Sequence, residues 1–232
     1  MSEVKEERIA KLIARAGICS RRDAERLLAN GRVTYKGEII DNPALKFPNT
    51  NDIKVDGESI GISTSRLWMY HKPVGLIVSH YDDQGRETIF DDLPIKERVV
   101  SVGRLDKNTS GLLLLTNDGE LARELELPSN NFKRVYMVRV YGYINFPKLK
   151  EALSKPLTIE GVTYRPVEID LEDSGGSNTW IRLTITEGKN REIRNILNFF
   201  ELRINRLVRI QYGPFELGNL ELEEVQEIPS DY

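Results

Sequence analysis

Apolar residues Ile9, Leu12, Ile13 and Ala16 recur at i, i+3, i+4 and i+7, which predicts an amphipathic helix ended by Gly17. Arg8, Lys11 and Arg15 line its other face. Ser20-Arg21-Arg22-Asp23 has the form of a capping box, so a second short helix follows, packed through Ala24, Leu27 and Leu28 and stopped by Gly31. Arg22 and Arg26 share a row on it. Extended pieces are then predicted at 32–35, 38–40 and 52–55, separated by turns at Lys36-Gly37, Asn42-Pro43 and Asp56-Gly57. Residues 62–66 are polar and read as a linker, with 1–62 as one domain, 63–66 as the connection and 67–232 as a second domain.

From Leu67 the period shifts to two. Strands are predicted at 67–70, 76–79 and 99–102, with a turn at Lys72-Pro73-Val74-Gly75 and a further strand through Leu112-Leu113-Leu114-Leu115. Asn117-Asp118-Gly119 makes a turn before a helix over 120–127 that ends at Pro128. Residues 133–141 alternate, placing Tyr136 on the face of Val138 and Val140. A helix near 147–153, an extended region to Ile169, a surface loop at 173–178 and a strand over 180–186 come next. Asn190 is placed to cap a helix with the apolar face Ile193, Ile196, Leu197 and Phe200, and a basic strand spans 203–214. Asp82-Asp83 and Asp91-Asp92 sit in polar sequence and read as loop or cap residues.

Composition narrows the chemistry. The chain has 232 residues, 40% hydrophobic and 30% charged, with no apolar run of membrane-spanning length, so a globular cytoplasmic protein is expected. A single cysteine, Cys19, allows no internal disulfide, and with only His71 and His80 beside it no metal site is expected. The net charge is −3, but six acids with no Lys or Arg fall within 216–232; without them 30 acids stand against 33 bases. In 8–36 the bases Arg8, Lys11, Arg15, Arg21, Arg22, Arg26, Arg32 and Lys36 face only Asp23 and Glu25, a candidate phosphate-binding patch.

The candidate catalytic stretch is Ser101 to Asn117. Its polar turn sets Asp106 between Arg104 and Lys107, and strand alternation would point Arg104 and Asp106 to one side. A carboxylate flanked by cations suits a nucleophile or a base rather than a general acid, although on spacing alone such an Asp reads as a turn residue. Gly57-Glu58-Ser59-Ile60-Gly61 matches a hydrolase nucleophile elbow literally, but a linker follows it where the elbow needs a helix. Internal repeats and phosphate-cradling glycine-rich loops are not found.

Gly103-Arg104-Leu105-Asp106 with Thr109-Ser110-Gly111-Leu112-Leu113 resembles the catalytic motif of RNA pseudouridine synthases, in the RsuA and RluB branch that modifies ribosomal RNA. Residues 16–24 and Gly31-Arg32-Val33 are similar to the S4 RNA-binding module. Lys72-Pro73-Val74-Gly75, the Tyr136 strand and 188–194 match further motifs of the family in the same order.

The resemblance implies an α+β protein: a small S4-like domain, then a mixed α/β synthase domain with a central antiparallel sheet. It implies Asp106, Tyr136 and Arg194 as catalytic residues, Arg194 pairing with Asp106 bidentately, and RNA contacts from Lys72, Arg104, Lys189, Arg191 and Leu207 besides the N-terminal bases. It further implies action without a cofactor, as a monomer, on ribosomal RNA free or in an assembling particle. Arg206-Leu207-Val208-Arg209 and Gly213-Pro214 favour 23S over 16S RNA. The alternatives are a 16S synthase or a non-catalytic S4-type binding or assembly factor.

Overall fold

The computed structural model describes residues 6–61, 63–175 and 178–229. The expected linker residue Ile62 lies outside them. Two units form, one from residues up to Arg66 together with Ile95–Val100 and Thr116–Leu121, the other from Leu67–Pro94, Ser101–Leu115 and Ala122 onward.

In the first unit a two-residue strand, β1 (Glu7–Arg8), leads into α1 (Ile9–Arg15), which buries Ile9, Ala10, Leu12 and Ile13 as its period requires. The capping box forms: the Ser20 hydroxyl accepts from the Asp23 amide at 3.1 Å and starts α2 (Arg21–Ala29), which buries Ala24 and Leu28. β2 (Val33–Tyr35), β3 (Glu38–Ile39), β4 (Lys46–Phe47), β5 (Ile53–Val55) and β6 (Glu58–Ser59) follow, and four of them make a sheet in the order β3-β2-β5-β6. Lys36-Gly37 and Asp56-Gly57 each take two successive positive φ angles, the geometry of a tight hairpin whose twist matches its strands. Ile9, Leu12, Leu28, Val33 and Ile53, all fully buried, close the core. Ser59 sits on an exposed edge strand of this sheet, which rules out an elbow.

The polar segment before Leu67 is no loose linker. The Asn117 side chain donates to Ser63 Oγ at 2.8 Å and the Thr64 carbonyl at 2.9 Å, and accepts from the Arg66 amide at 2.8 Å. Ser65 donates to Asp118, and Arg66 pairs with Glu97. These partners lie far away in sequence, where local composition could not reveal them.

The second unit is built on one sheet. Its strands are β7 (Leu67–Lys72), β8 (Val100–Val102), β9 (Ser110–Thr116), β10 (Arg134–Tyr141), β13 (Glu168–Gly175), β14 (Asn178–Ile185), β15 (Arg203–Tyr212), β16 (Phe215–Glu216) and β17 (Val225–Ile228). A separate hairpin joins β11 (Leu157–Ile159) to β12 (Val162–Tyr164), and the helices are α3 (Gly119–Glu126), α4 (Phe146–Leu153) and α5 (Glu192–Phe199). The sheet order is β13-β14-β10-β15-β9-β7-β17, mostly antiparallel, with β9 parallel to β15. The run of leucines explains why β9 lies inside: all seven of its residues are buried. Gly111 permits the parallel pairing, because at its φ of +110° a Cβ would meet the Arg209 carbonyl oxygen at 2.2 Å.

Three expectations need correction. Residues 76–79 form no strand, only a single bridge from Ile77 to Thr88, because 77–91 folds back on itself, with the Asp82 and Asp91 carboxylates accepting from the Arg86 and Thr88 amides. The loop expected at 173–178 is mostly strand, β13 running to Gly175 and β14 starting at Asn178; Gly176 and Ser177 lie outside the described residues. The acidic stretch after 214, for which no element is predicted, contributes a strand to the sheet, for β17 pairs with β7 from Val225↔Tyr70 to Ile228↔Leu67.

Candidate active site

Residues 103–109, between β8 and β9, form a loop rather than a strand, so alternation does not govern it. Leu105 is buried and anchors the loop, leaving Arg104 and Lys107 exposed and Asp106 partly exposed. The sequence neighbours of Asp106 are not its ion-pair partners. Its Oδ2 instead lies 3.4 Å from Arg191 Nη1 and 3.4 Å from Arg194 Nε.

Arg194 does not make the expected bidentate pair. Its Nη2 donates to the Asn108 carbonyl at 2.9 Å and Thr109 Oγ1 at 3.2 Å, so its fork is divided between the carboxylate and the loop backbone. Burial lowers the Arg194 pKa, opposed by the Asp106 charge. Asn190 does not cap α5: Arg191 occupies the cap position in a left-handed conformation at φ 49°, and the Glu192 carboxylate accepts from the Lys189 amide at 3.0 Å. That turn brings Arg191 onto Asp106.

Lys72 also departs from expectation. It is fully buried, so it is no RNA contact; its Nζ donates to the carbonyls of Pro73 at 2.8 Å, Thr109 at 3.0 Å and Asp106 at 3.3 Å. Burial pulls its pKa down to about 8, against the charge of Asp106. Lysine at the end of a strand reads as a surface residue, and only the tertiary fold shows its three acceptors.

A cavity of about 800 Å³ opens over Asp106 and is also lined by Tyr136, Leu207, Arg209, Arg134 and Tyr212. That volume suits a nucleotide-sized ligand. Tyr136 and Leu207 are buried in its wall on the adjacent strands β10 and β15. A register shift between Val135 and Tyr136 buries two successive residues of β10 and aims Tyr136 at the cavity.

Sequence reading missed Arg209, Arg134, Tyr212 and the rim residues Tyr81, Asp82 and Arg86. Arg86 hydrogen-bonds Asp82 and, with two backbone amides, holds its carboxyl at about 2. It also missed Glu192, 3% exposed in the same cavity; burial and the neighbouring Glu187 push its carboxyl up to about 7. For Arg134, Arg209 and Tyr212 the signal is cross-strand register, and for the loop residues Tyr81, Asp82 and Arg86 and the helix residue Glu192 it is tertiary packing; a lone sequence gives neither.

The other candidates divide. Lys189 is engaged by Glu187 Oε2 at 2.6 Å and by the Thr163 carbonyl at 2.7 Å. In the first unit Lys11 and Arg15 both pair with Glu7, one position before the window that looked so basic, and Lys11 also pairs with Glu120. Arg32 pairs with Asp56 through two hydrogen bonds, at 2.7 and 2.5 Å, and Arg26 with Asp23. Arg8, Arg21 and Arg22 are exposed. Among the described residues no helix is long and apolar enough to cross a membrane.

Residues 66–199 match the family described as RNA pseudouridylate synthase, and residues 7–53 match the S4 domain. The chain is 49% identical over 223 residues to an uncharacterized RNA pseudouridine synthase of Rickettsia felis, covering 96% of each. It is 39% identical over 219 residues to the ribosomal large subunit pseudouridine synthase B of Yersinia pestis, covering 91% of this chain and 69% of that one. A crystal structure of a pseudouridylate synthase is similar with a TM-score of 0.65 at 25% identity, covering 96% of both chains. With a sheet, a cavity and a motif order that agree with these likenesses, the chain belongs to the RNA pseudouridylate synthase family, an S4 domain followed by a synthase domain.

Proposed function

We propose that this enzyme isomerises a uridine of large-subunit (23S) ribosomal RNA to pseudouridine in the cytoplasm, with Asp106 as the acting carboxylate. The supporting observation is the Asp106 carboxylate set between two guanidiniums in a nucleotide-sized cavity that Tyr136 and Leu207 also line. The large-subunit assignment rests on likeness to the Yersinia pestis protein.

The reaction exchanges the N1–C1′ bond for a C5–C1′ bond. C5 loses a proton and N1 gains one, so atoms and electrons balance without an oxidant or reductant. Asp106 either attacks C1′ or removes the C2′ proton. Arg194 and Arg191 orient the carboxylate, Tyr136 faces the base and assists at C5, and Leu207 packs beside the ring. The uridine must leave its stack to enter the cavity, where exposed Arg104 meets an adjoining phosphate; in the S4 domain the exposed bases Arg8, Arg21 and Arg22 bind phosphates of the same RNA.

The test is tritium release from 5-tritiated uridine in unmodified 23S and 16S RNA, comparing the wild type with Asp106→Asn. Release from 23S RNA by the wild type alone is expected. Equal release by Asp106→Asn overturns the role of Asp106, preference for 16S RNA overturns the target, and tight salt-sensitive binding without release from either RNA favours a binding factor.

A further inference from the structure

Arg209 lies in the middle of β15 and is 2% exposed. Its Nε donates to the Leu112 carbonyl at 2.7 Å and its guanidinium sits 5.1 Å from the centre of the Tyr212 ring. Among the described residues it makes no ion pair with a carboxylate, and its Nη2 is buried without a hydrogen-bond partner. A buried cation with a free donor is costly unless something accepts from it, so this group calls for an acceptor.

Its position says which. Arg209 lines the Asp106 cavity and stands directly opposite Tyr136 in the β10–β15 pairing, where side chains on one face are about 5 Å apart. Leu207, two residues earlier on the same strand, lines the same cavity. The main chain of Arg209 is pressed against Gly111, so the side chain starts from a fixed point. The cations at the cavity mouth differ: the Arg191 side chain is 52% exposed, and Arg104 and Lys107 are exposed. Phosphates of an extruded nucleotide remain joined to the strand outside and meet those groups. The deepest cation meets the base.

We propose that Nη2 of Arg209 hydrogen-bonds a carbonyl oxygen of the flipped uracil and offsets the negative charge the ring takes up when the N1–C1′ bond breaks. This rests on the uridine isomerase reading above. Whichever way Asp106 acts, the electron pair of the broken bond stays on uracil, spread over N1 and the carbonyl oxygens. It is then used when C5 bonds to C1′. Arg209 is thus a catalytic residue, acting mainly on the chemical step, because the charge it opposes exists only after cleavage begins.

Two measurements test this. In the ¹⁵N-arginine-labelled wild type, saturating uridine monophosphate shifts the Arg209 Nε–H resonance, whereas ribose 5-phosphate, which has the sugar and phosphate but no base, leaves it in place. Equal shifts from both make Arg209 a phosphate ligand, and no shift from either removes it from the site; both results overturn the proposal. In single-turnover conversion at saturating RNA, Arg209→Gln lowers the rate roughly 100-fold with RNA affinity kept within about threefold, and Arg209→Lys retains part of the rate. A folded Arg209→Gln protein as fast as the wild type overturns it. If Arg209→Gln does not fold, the resonance measurement on the wild type decides. A wild type that converts no uridine overturns the isomerase reading itself, and the nucleotide titration still decides whether Arg209 holds the base.

Discussion

Lys72 donates to the main-chain carbonyl of Asp106, at 3.3 Å, and not to its carboxylate. The ammonium therefore shapes the loop that presents the acid, and its three hydrogens match three carbonyl acceptors. A neutral amine has only two. With its pKa at about 8, Lys72 loses a proton just above neutrality, and the single-turnover rate is expected to fall as pH rises through about 8. Stability moves the other way. Because the folded pKa lies below the ordinary 10.5, the burial penalty is full below pH 8 and is relieved as pH rises from 8 to 10.5, by about 3 kcal/mol. Lys72→Met is expected to be slow and to lack the alkaline fall. A wild-type rate that stays flat to pH 10 would refute the link.

Arg194 braces the loop from the other side. Arg194→Lys keeps the charge beside Asp106 but cannot also reach Asn108 and Thr109, so a loss of roughly 100-fold in single-turnover rate is expected with little change in RNA binding. Rapid-quench conversion of a saturating RNA fragment measures it. A rate close to that of the wild type would show that charge alone is needed.

Glu192 is held at about 7 by burial and by Glu187, well above the ordinary 4.5. A raised carboxyl contributes stability that is complete below the unfolded value and is lost as pH rises from 4.5 through 7. Glu192→Gln keeps a neutral donor at every pH. It is expected to be more stable than the wild type by about 1–3 kcal/mol at pH 8 and equal to it at pH 4.5, as read by urea unfolding. Equal stability at both pH values would contradict the assignment.

The basic face of the S4 domain is smaller than its composition. Lys11, Arg15 and Arg32 already have carboxylate partners, whereas Arg21 and Arg22 are exposed. The double change Arg21→Ala, Arg22→Ala is expected to weaken RNA binding and lower the salt slope by about 2, while Arg32→Ala leaves the slope nearly unchanged. Filter binding from 50 to 200 mM salt, the range in which phosphate contacts show, separates the two.

What the sequence revealed was local. Helical periods fixed α1 and α2 and the leucine run fixed a buried strand, whereas the grouping of Asp106, Tyr136 and Arg194 came only from the resemblance to the synthase family. What it hid was the identity of distant partners. Arg104 and Lys107 flank Asp106 in the chain, yet Arg191 and Arg194 hold it. Lys72 and Arg209 look like surface bases in their strands, and their burial follows from the strands and loops packed around them. Glu7 pairs with two bases because one turn of helix brings Lys11 beside it and the long side chain of Arg15 reaches it from a turn further on.

The pairing of β17 with β7 has a consequence for the order of assembly. Lys72, which braces the Asp106 loop, closes the strand whose outer edge is covered only by Val225–Ile228. Closing so long a loop of chain is slow, and strands with unpaired edges are exposed until it is done. The sheet under the catalytic loop is therefore complete only once Val225–Ile228 has been made and has paired with β7, so the brace on Asp106 depends on a contact between segments about 150 residues apart.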